Sequence, residues 1–240
     1  MLAIPTSLLG IGTALSIIER VAKLCAASPE YRPLNSPRFA LDPFQWGYFL
    51  ALVMISSEIS CSLSLPGAPH LSLIAMPVPS LTFLLATLLL ISLVLDVLNV
   101  KAPFRLGSTG KGEAEVRPAI FYVVEDIVAV DGSGGIEYRT QFNLRYASSP
   151  IFRRMLFRLS VVWMLVFYLI GTVLTIMIWV MSRKGEDAQM IALGISWAGP
   201  FVVGGVLAWG TTLYVQECLR KERKEEIITE NDERRPLLRS

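Results

Sequence analysis

The sequence predicts an all-α membrane protein with four transmembrane helices, and three observations carry that expectation. Apolar residues make up 53% of the 240, the mean hydropathy is +0.53, and these residues collect in long blocks between charged stretches. Four blocks reach the length of roughly 20 residues that crosses a hydrocarbon core about 30 Å thick at a helical rise of about 1.5 Å. No Lys or Arg falls inside any of the four. The alternation of a membrane barrel is absent, so helices, which satisfy their own backbone, are the form the bilayer requires.

The N-terminal segment, residues 1–43, opens with Leu2–Ile18, where Ile4, Leu8, Ile11, Leu15, Ile18 and Ala22 form one apolar stripe at helical spacing. That pattern predicts an amphipathic N-terminal helix in the membrane interface. The alternative is a fifth span. A first transmembrane hairpin covers 44–100, with spans 44–65 and 79–100, and Phe44, Trp46 and Tyr48 open it as interfacial aromatics. The loop 101–158 follows, flexible at Gly107–Gly112. Pro118 and Gly132 then punctuate an interfacial helix, with Ile120, Phe121, Val124, Ile127 and Val128 on one face and Glu125 and Asp126 off it. The β-branched content and the turn at Gly132–Gly135 also permit a hairpin with Ile136–Asn143. A second transmembrane hairpin covers 159–215, with spans 159–182 and 190–215, and a charged tail, 216–240, ends the chain.

Charge sets the orientation. Twenty of the 22 Lys and Arg lie in the N-terminal segment, the 101–158 loop and the tail, which a four-span chain places on one side. Cationic side chains mark the cytosolic leaflet, so both termini and the central loop are expected in the cytosol. The basic run Arg153, Arg154 and Arg158 anchors the third span or meets anionic headgroups. A net charge of +2 gives no reason to expect nucleic acid as a partner. Cys25, Cys61 and Cys218 are too few and scattered for a disulfide framework, and one histidine, His70, cannot build a metal site with them.

Two stretches, Arg117-Pro-Ala-Ile-Phe-Tyr-Val-Val-Glu-Asp126 and Ser149-Pro-Ile-Phe-Arg-Arg-Met-Leu156, resemble uncharacterised multi-pass membrane proteins of filamentous fungi. The resemblance implies no activity. The C-terminal Glu233-Arg-Arg-Pro-Leu237-Leu238 resembles an acidic dileucine sorting signal. It implies a clathrin-adaptor complex as a partner, with a slot for the leucine pair and a basic patch for Glu233, and a vacuolar or lysosomal membrane as the destination. The reading gives the signal a flexible leash of charged residues from Gln216 onward.

Few residues offer chemistry. Glu58 lies inside the first span with no cation in any span to pair it, and a charged carboxylate there costs several kcal/mol. It is a candidate proton- or cation-responsive group, or a neutral carboxyl bonded to serines, with Ser62 on the same face. Asp96, near the end of the second span, is a lesser candidate. Gly194 with Ala198, and Gly204 with Ala208, are small-residue pairs that suit close helix packing within the bundle. Cys25 and Cys218, near the expected cytosolic face, are acylation candidates. Gly107-Ser-Thr-Gly-Lys111-Gly112 lacks the spacing and the hydroxyl of a Walker loop. No motif implies a cofactor, a catalytic residue or a bound metal.

The expected function is therefore a non-enzymatic interaction or accessory component of the vacuolar or lysosomal membrane, with the lipid bilayer and a membrane or cytosolic protein as partners. A transporter or channel subunit using Glu58 is the second reading, and a membrane-embedded enzyme the third.

Overall fold

A computed structural model describes residues 15–26, 28, 30–66, 70–112 and 114–234, with side chains as far as residue 225. The described residues are helical throughout apart from turns and two isolated bridges, Lys101 to Glu115 and Leu106 to Thr109. Residues 15–25 form α1. After it come α2 (Pro43–Ser64), α3 (Leu71–Ile74), α4 (Pro77–Val97), α5 (Ala119–Asp126), α6 (Gly135–Ser148), α7 (Pro150–Met181) and α8 (Glu186–Arg234). A π-helical turn, Ile127–Asp131, continues α5.

Prolines open α2, α4 and α7, where the missing N–H would have had no partner and the fixed φ already suits a helix. Ser149 caps α7, its hydroxyl accepting the Phe152 N–H at 3.2 Å. α5 begins after Pro118, which has no side-chain acceptor to offer, so the Ala119 N–H donates to Ser92 Oγ of α4 at 2.9 Å.

Four helices, α2, α4, α7 and α8, are long and apolar enough to cross a membrane. Their outward faces argue for lipid. Along α7, Leu165, Leu169, Val173 and Ile176 recur at helical spacing and are each more than half exposed. On α8, Val202, Val206, Trp209 and Leu213 do the same. Apolar stripes of that length would stand against water in a soluble protein; hydrocarbon is the solvent that accepts them.

By compactness the chain divides in two. One unit lies within Met1–Leu50 and Ser92–Leu144, the other within Ala51–Ile91 and Arg145–Ser240. The second holds most of the four spans. Ala75, Ile178 and Ala192 are its buried apolar centre, with Met76, Met177, Met181 and Leu193 packed around them. Polar side chains link its helices: Trp163 Nε1 donates to Thr211 Oγ1 at 3.1 Å, Thr87 and Tyr168 share a hydroxyl bond of 3.1 Å, and Trp197 Nε1 donates to the Ile74 carbonyl at 3.2 Å. Buried Ser160 and Ser196 return their hydroxyls to carbonyls one turn back, so they add no orphan donor.

Three expectations are corrected here. The pairs Gly194 with Ala198 and Gly204 with Ala208 meet no facing helix among the described residues: a Cβ at Gly194 or Gly204 would meet no atom of these within 4 Å, and Ala198 and Ala208 are exposed. The close approach is instead at Gly171 of α7, where a Cβ would stand 2.7 Å from Thr82 Oγ1 and 3.1 Å from the Phe83 ring of α4. Second, the third and fourth spans are parts of longer helices, since α7 starts at Pro150 and α8 runs to Arg234. At 1.5 Å per residue these measure about 48 and about 74 Å, well beyond a hydrocarbon core. Third, the tail from Gln216 to Arg234 is consequently a helical arm rather than a flexible leash.

Gly171→Ala is expected to lower stability in detergent by about 1–3 kcal/mol through overpacking, whereas Gly194→Ala and Gly204→Ala leave the thermal midpoint unchanged. Equal effects at the three positions would remove the close approach of α4 and α7.

Candidate functional site

The most densely built polar site is in the first unit, and it is made of charge. Asp42 stands just ahead of α2, and its Oδ1 accepts the Gln45 N–H at 2.8 Å, an N-cap bond. Its Oδ2 accepts Arg20 Nη2 of α1 at 2.6 Å. Asp126, the last residue of α5, reaches the same helix end: its Oδ2 accepts the Phe44 N–H at 3.3 Å, while its Oδ1 accepts Arg139 Nη1 of α6 at 2.7 Å. Two carboxyls thus meet the positive end of the α2 dipole, where negative charge is stabilised.

Arg20 and Arg139 tie the remaining strands of chain to this point. Arg20 also donates to Asp131 Oδ2 in the π-turn and to the Asp126 carbonyl at 3.3 Å, and its guanidinium lies 4.7 Å from the centre of the Phe44 ring. The wide π-turn presents Asp131 to Arg20 while Asp126, five residues back, faces Arg139. Arg139 donates to the Tyr31 carbonyl at 3.3 Å and stands 3.8 Å from Glu125 Oε2. Glu125 Oε1 accepts Asn143 Nδ2 at 2.7 Å, and Asn143 Oδ1 accepts Arg117 Nη1 at 2.5 Å. The Arg117 guanidinium covers the Phe121 ring at 4.4 Å, and Phe121 packs on Phe142 with ring centres 4.9 Å apart. Asp42, Glu125, Asp126 and Arg139 have no exposed surface at all.

The sequence expectation placed Glu125 and Asp126 on an outer polar face of their helix. They are buried because the partners their carboxyls need, Arg139 and Asn143, come from α6, and burying a carboxylate with its guanidinium is the alternative to leaving both in water. The helix turns Val123 and Ile127 outward instead. Gly107 belongs to this site too. It has φ +56° and a Cβ there would come within 3.2 Å of Glu125 Oε2, so both backbone and space call for glycine.

Three buried carboxyls, Asp42, Glu125 and Asp126, face two buried guanidiniums. That imbalance has a proton consequence. Burial, then the charge of Asp42, pushes Asp126 up to about 7 against the pull of Arg139. Burial also raises the Tyr122 phenol, whose oxygen accepts the Arg117 N–H at 3.1 Å.

The residues singled out from sequence are scattered. Glu58 is half-buried in α2, and its Oε2 is buried with no hydrogen-bond partner among the described residues. The serine offered to it, Ser62, donates to the His70 carbonyl at 3.1 Å. Asp96 is half-buried in the last turn of α4. Cys25 and Cys218 are half-buried free thiols. Leu15 and Ile18 of the N-terminal stripe are exposed on α1, which buries Arg20 and Leu24; Leu2 through Ile11 lie outside the described residues. Glu233 falls in the last turn of α8, and Leu237 and Leu238 lie outside the described residues. Among the described residues no group of His, Cys, Asp and Glu is arranged to hold a metal.

Four apolar spanning helices and a charge-locked polar unit define an integral, multi-span helical membrane protein. The chain belongs to the family described as Domain of unknown function (DUF8766), which it matches over residues 1–225. No curated protein and no solved structure matches it.

Two outcomes check the site. Arg139→Ala should cost about 3–5 kcal/mol, because it strands buried carboxylates; a loss under about 1 kcal/mol, the range of exposed pairs, would mean the cluster is hydrated and loose. The second is a pH dependence. Asp126 titrates higher in the folded chain than in the unfolded one, so folding takes up a proton between those values. Stability should accordingly be greatest in acid and fall as pH rises from about 4 through about 7. Asp126→Asn, which balances two guanidiniums with two carboxyls, should flatten that slope in unfolding measured across the range. A wild-type stability that climbs with pH would contradict it.

Proposed function

We propose that this protein is a non-enzymatic accessory or interaction component of the vacuolar or lysosomal membrane, with its polar unit and both termini in the cytosol. The observation that carries the reading is how the polar unit uses its charge. Four of its ionisable side chains, Asp42, Glu125, Asp126 and Arg139, turn inward, fully buried, with the three carboxyls gathered on the one guanidinium. Such a network specifies a rigid shape, and its groups are withheld from any solute. Outward the unit presents Phe39, Phe104 and Leu144, each more than half exposed, among exposed charges such as Arg38, Lys101, Lys111 and Glu137. Exposed apolar side chains on a rigid body suit a partner protein or the headgroup layer.

The dileucine motif supports the address. The helical arm extends α8 past Val215 as far as Arg234, about 28 Å at helical rise, a length that suits the clearance an adaptor complex needs. In the family of filamentous-fungal membrane proteins that two stretches resemble, the same organisation is expected.

One observation favours a second reading, a transport subunit. Glu58 Oε2 is buried without a partner among the described residues, and an unpaired carboxyl in a span marks an ion or proton path more often than it serves packing.

Replacing Leu237 and Leu238 by Ala should move a fluorescently tagged chain from the vacuolar or lysosomal membrane to the cell surface; unchanged distribution would defeat the sorting claim. For the second reading, Glu58→Gln in reconstituted vesicles should abolish any proton-coupled flux, and a flux indifferent to that change would remove Glu58 from the path.

A further inference from the structure

We propose that α7 and α8 form, on the polar side of their apolar segments, a binding site for the headgroup of a phosphorylated inositol lipid. The site is a groove of about 400 Å³ between the first two turns of α7 and the part of α8 that follows its apolar segment. Arg154 and Arg158 face it from α7, and Lys221 and Lys224 from α8. The spacing explains why they converge. Ile151, Arg154, Met155 and Arg158 share one face of α7, and Tyr214, Glu217, Cys218 and Lys221 repeat the same three-four pattern on α8. The two helices therefore present their cations to the same groove.

Charge and depth identify the ligand. Four cations against Glu217 and Glu225 leave an excess of two positive charges in the groove. Glu217 is engaged with Lys221 at 3.5 Å, and Arg154, Arg158 and Lys224 make no ion pair among the described residues. A phosphomonoester, at about −1.5 to −2 near neutrality, matches that excess where the single charge of a simple phosphodiester does not. The volume admits an inositol ring together with its phosphate. The apolar run of α7 begins at Leu159, next to Arg158, and that of α8 ends at Val215, next to Tyr214. The cations thus stand within about two turns of the hydrocarbon edge, at headgroup level, where basic side chains attract anionic lipid. Tyr214 and the buried Met155 form the apolar floor against which a glycerol backbone would lie. A soluble anion would have no use for that floor, and a lipid does. The inference is independent of the accessory reading, since headgroup binding can hold while sorting fails, and the reverse.

The test uses the full chain in nanodiscs of phosphatidylcholine carrying a minor fraction of a phosphatidylinositol monophosphate, with retained lipid counted by native mass spectrometry. Phosphatidylserine at matched total charge and a soluble inositol phosphate are run beside it. The wild type should retain the phosphorylated lipid at least about tenfold better than phosphatidylserine, and Arg154→Gln with Lys221→Gln should lose about tenfold. The control pair, Arg220→Gln with Arg223→Gln, removes the same charge from the exposed surface of α8 outside the groove, and should change retention by less than about twofold. Equal losses in the two pairs would reduce the effect to diffuse attraction and overturn the site. So would equal retention of phosphatidylserine, or soluble inositol phosphate binding as tightly as the lipid, which would make it a free-anion site. If the groove pair fails to fold, the wild type decides through Cys218, which lines the groove. The inositol lipid should slow its alkylation, read by peptide mass spectrometry, while leaving exposed Cys61 unaffected. An unchanged Cys218 rate would overturn the proposal.

Discussion

The polar unit depends on a shared point, the N-terminus of α2, where the carboxyls of Asp42 and Asp126 meet the guanidiniums of Arg20 and Arg139. Through these four side chains, α1, the start of α2, the end of α5 and the middle of α6 become one object. A buried ion cluster is weak evidence for net stability, since its desolvation offsets much of its attraction. Its force is in specificity. A carboxylate in a dry interior accepts few geometries, so a chain that misplaces Arg139 has no low-energy way to bury Asp126 and Glu125. Apolar packing surrounds the charges, with Leu24, Val116, Phe121 and Val130 among the largest fully buried side chains. Apolar contacts are non-directional, and the charges supply the directional definition.

The bilayer imposes the complementary constraint on the other unit. Hydrocarbon gives no drive to bury apolar side chains, so the helices meet through small residues and hydroxyls. Gly171 against Thr82 and Phe83, and the Trp163–Thr211 and Thr87–Tyr168 bonds, are that chemistry. Leu165 and Val206 can face outward at no cost because lipid is as apolar as they are.

This division explains what could be read from the chain alone. The four spans were legible because length, hydropathy and the absence of cations are local properties: the expected starts at 44 and 79 fall within two residues of Pro43 and Pro77, whereas the polar turns ahead of 159 hid the start of α7 at Pro150. The helical character of 119–131 was legible from Pro118 and Gly132, yet its buried face was not. An amphipathic reading assumes that polar residues seek water, and Glu125 and Asp126 are polar residues whose carboxyl partners stand 13 to 82 positions away in sequence. Glycine spacing misled for a related reason. Small residues recur along α8 and draw the eye, but only a facing helix makes a glycine necessary, and α4 faces Gly171.

The helical extensions beyond the membrane join these two regimes. An isolated polar helix of the length of Gln216–Arg234 is marginal in water, because nucleation is costly and packing normally supplies the stability. Here the nucleus is already present, since α8 leaves the apolar segment as a formed helix and each further residue only adds its own bond. One anchor then suffices to direct it: Glu222, nearly buried, takes the guanidinium of Arg145 from the last turn of α6, which also covers the Phe152 ring at 4.7 Å. That pairing commits Arg145 to Glu222, while Arg154 and Arg158 of α7 make no ion pair among the described residues. A helix pair left cationic at its polar end is short of anions, and the anions most abundant at that depth are carried by the membrane itself.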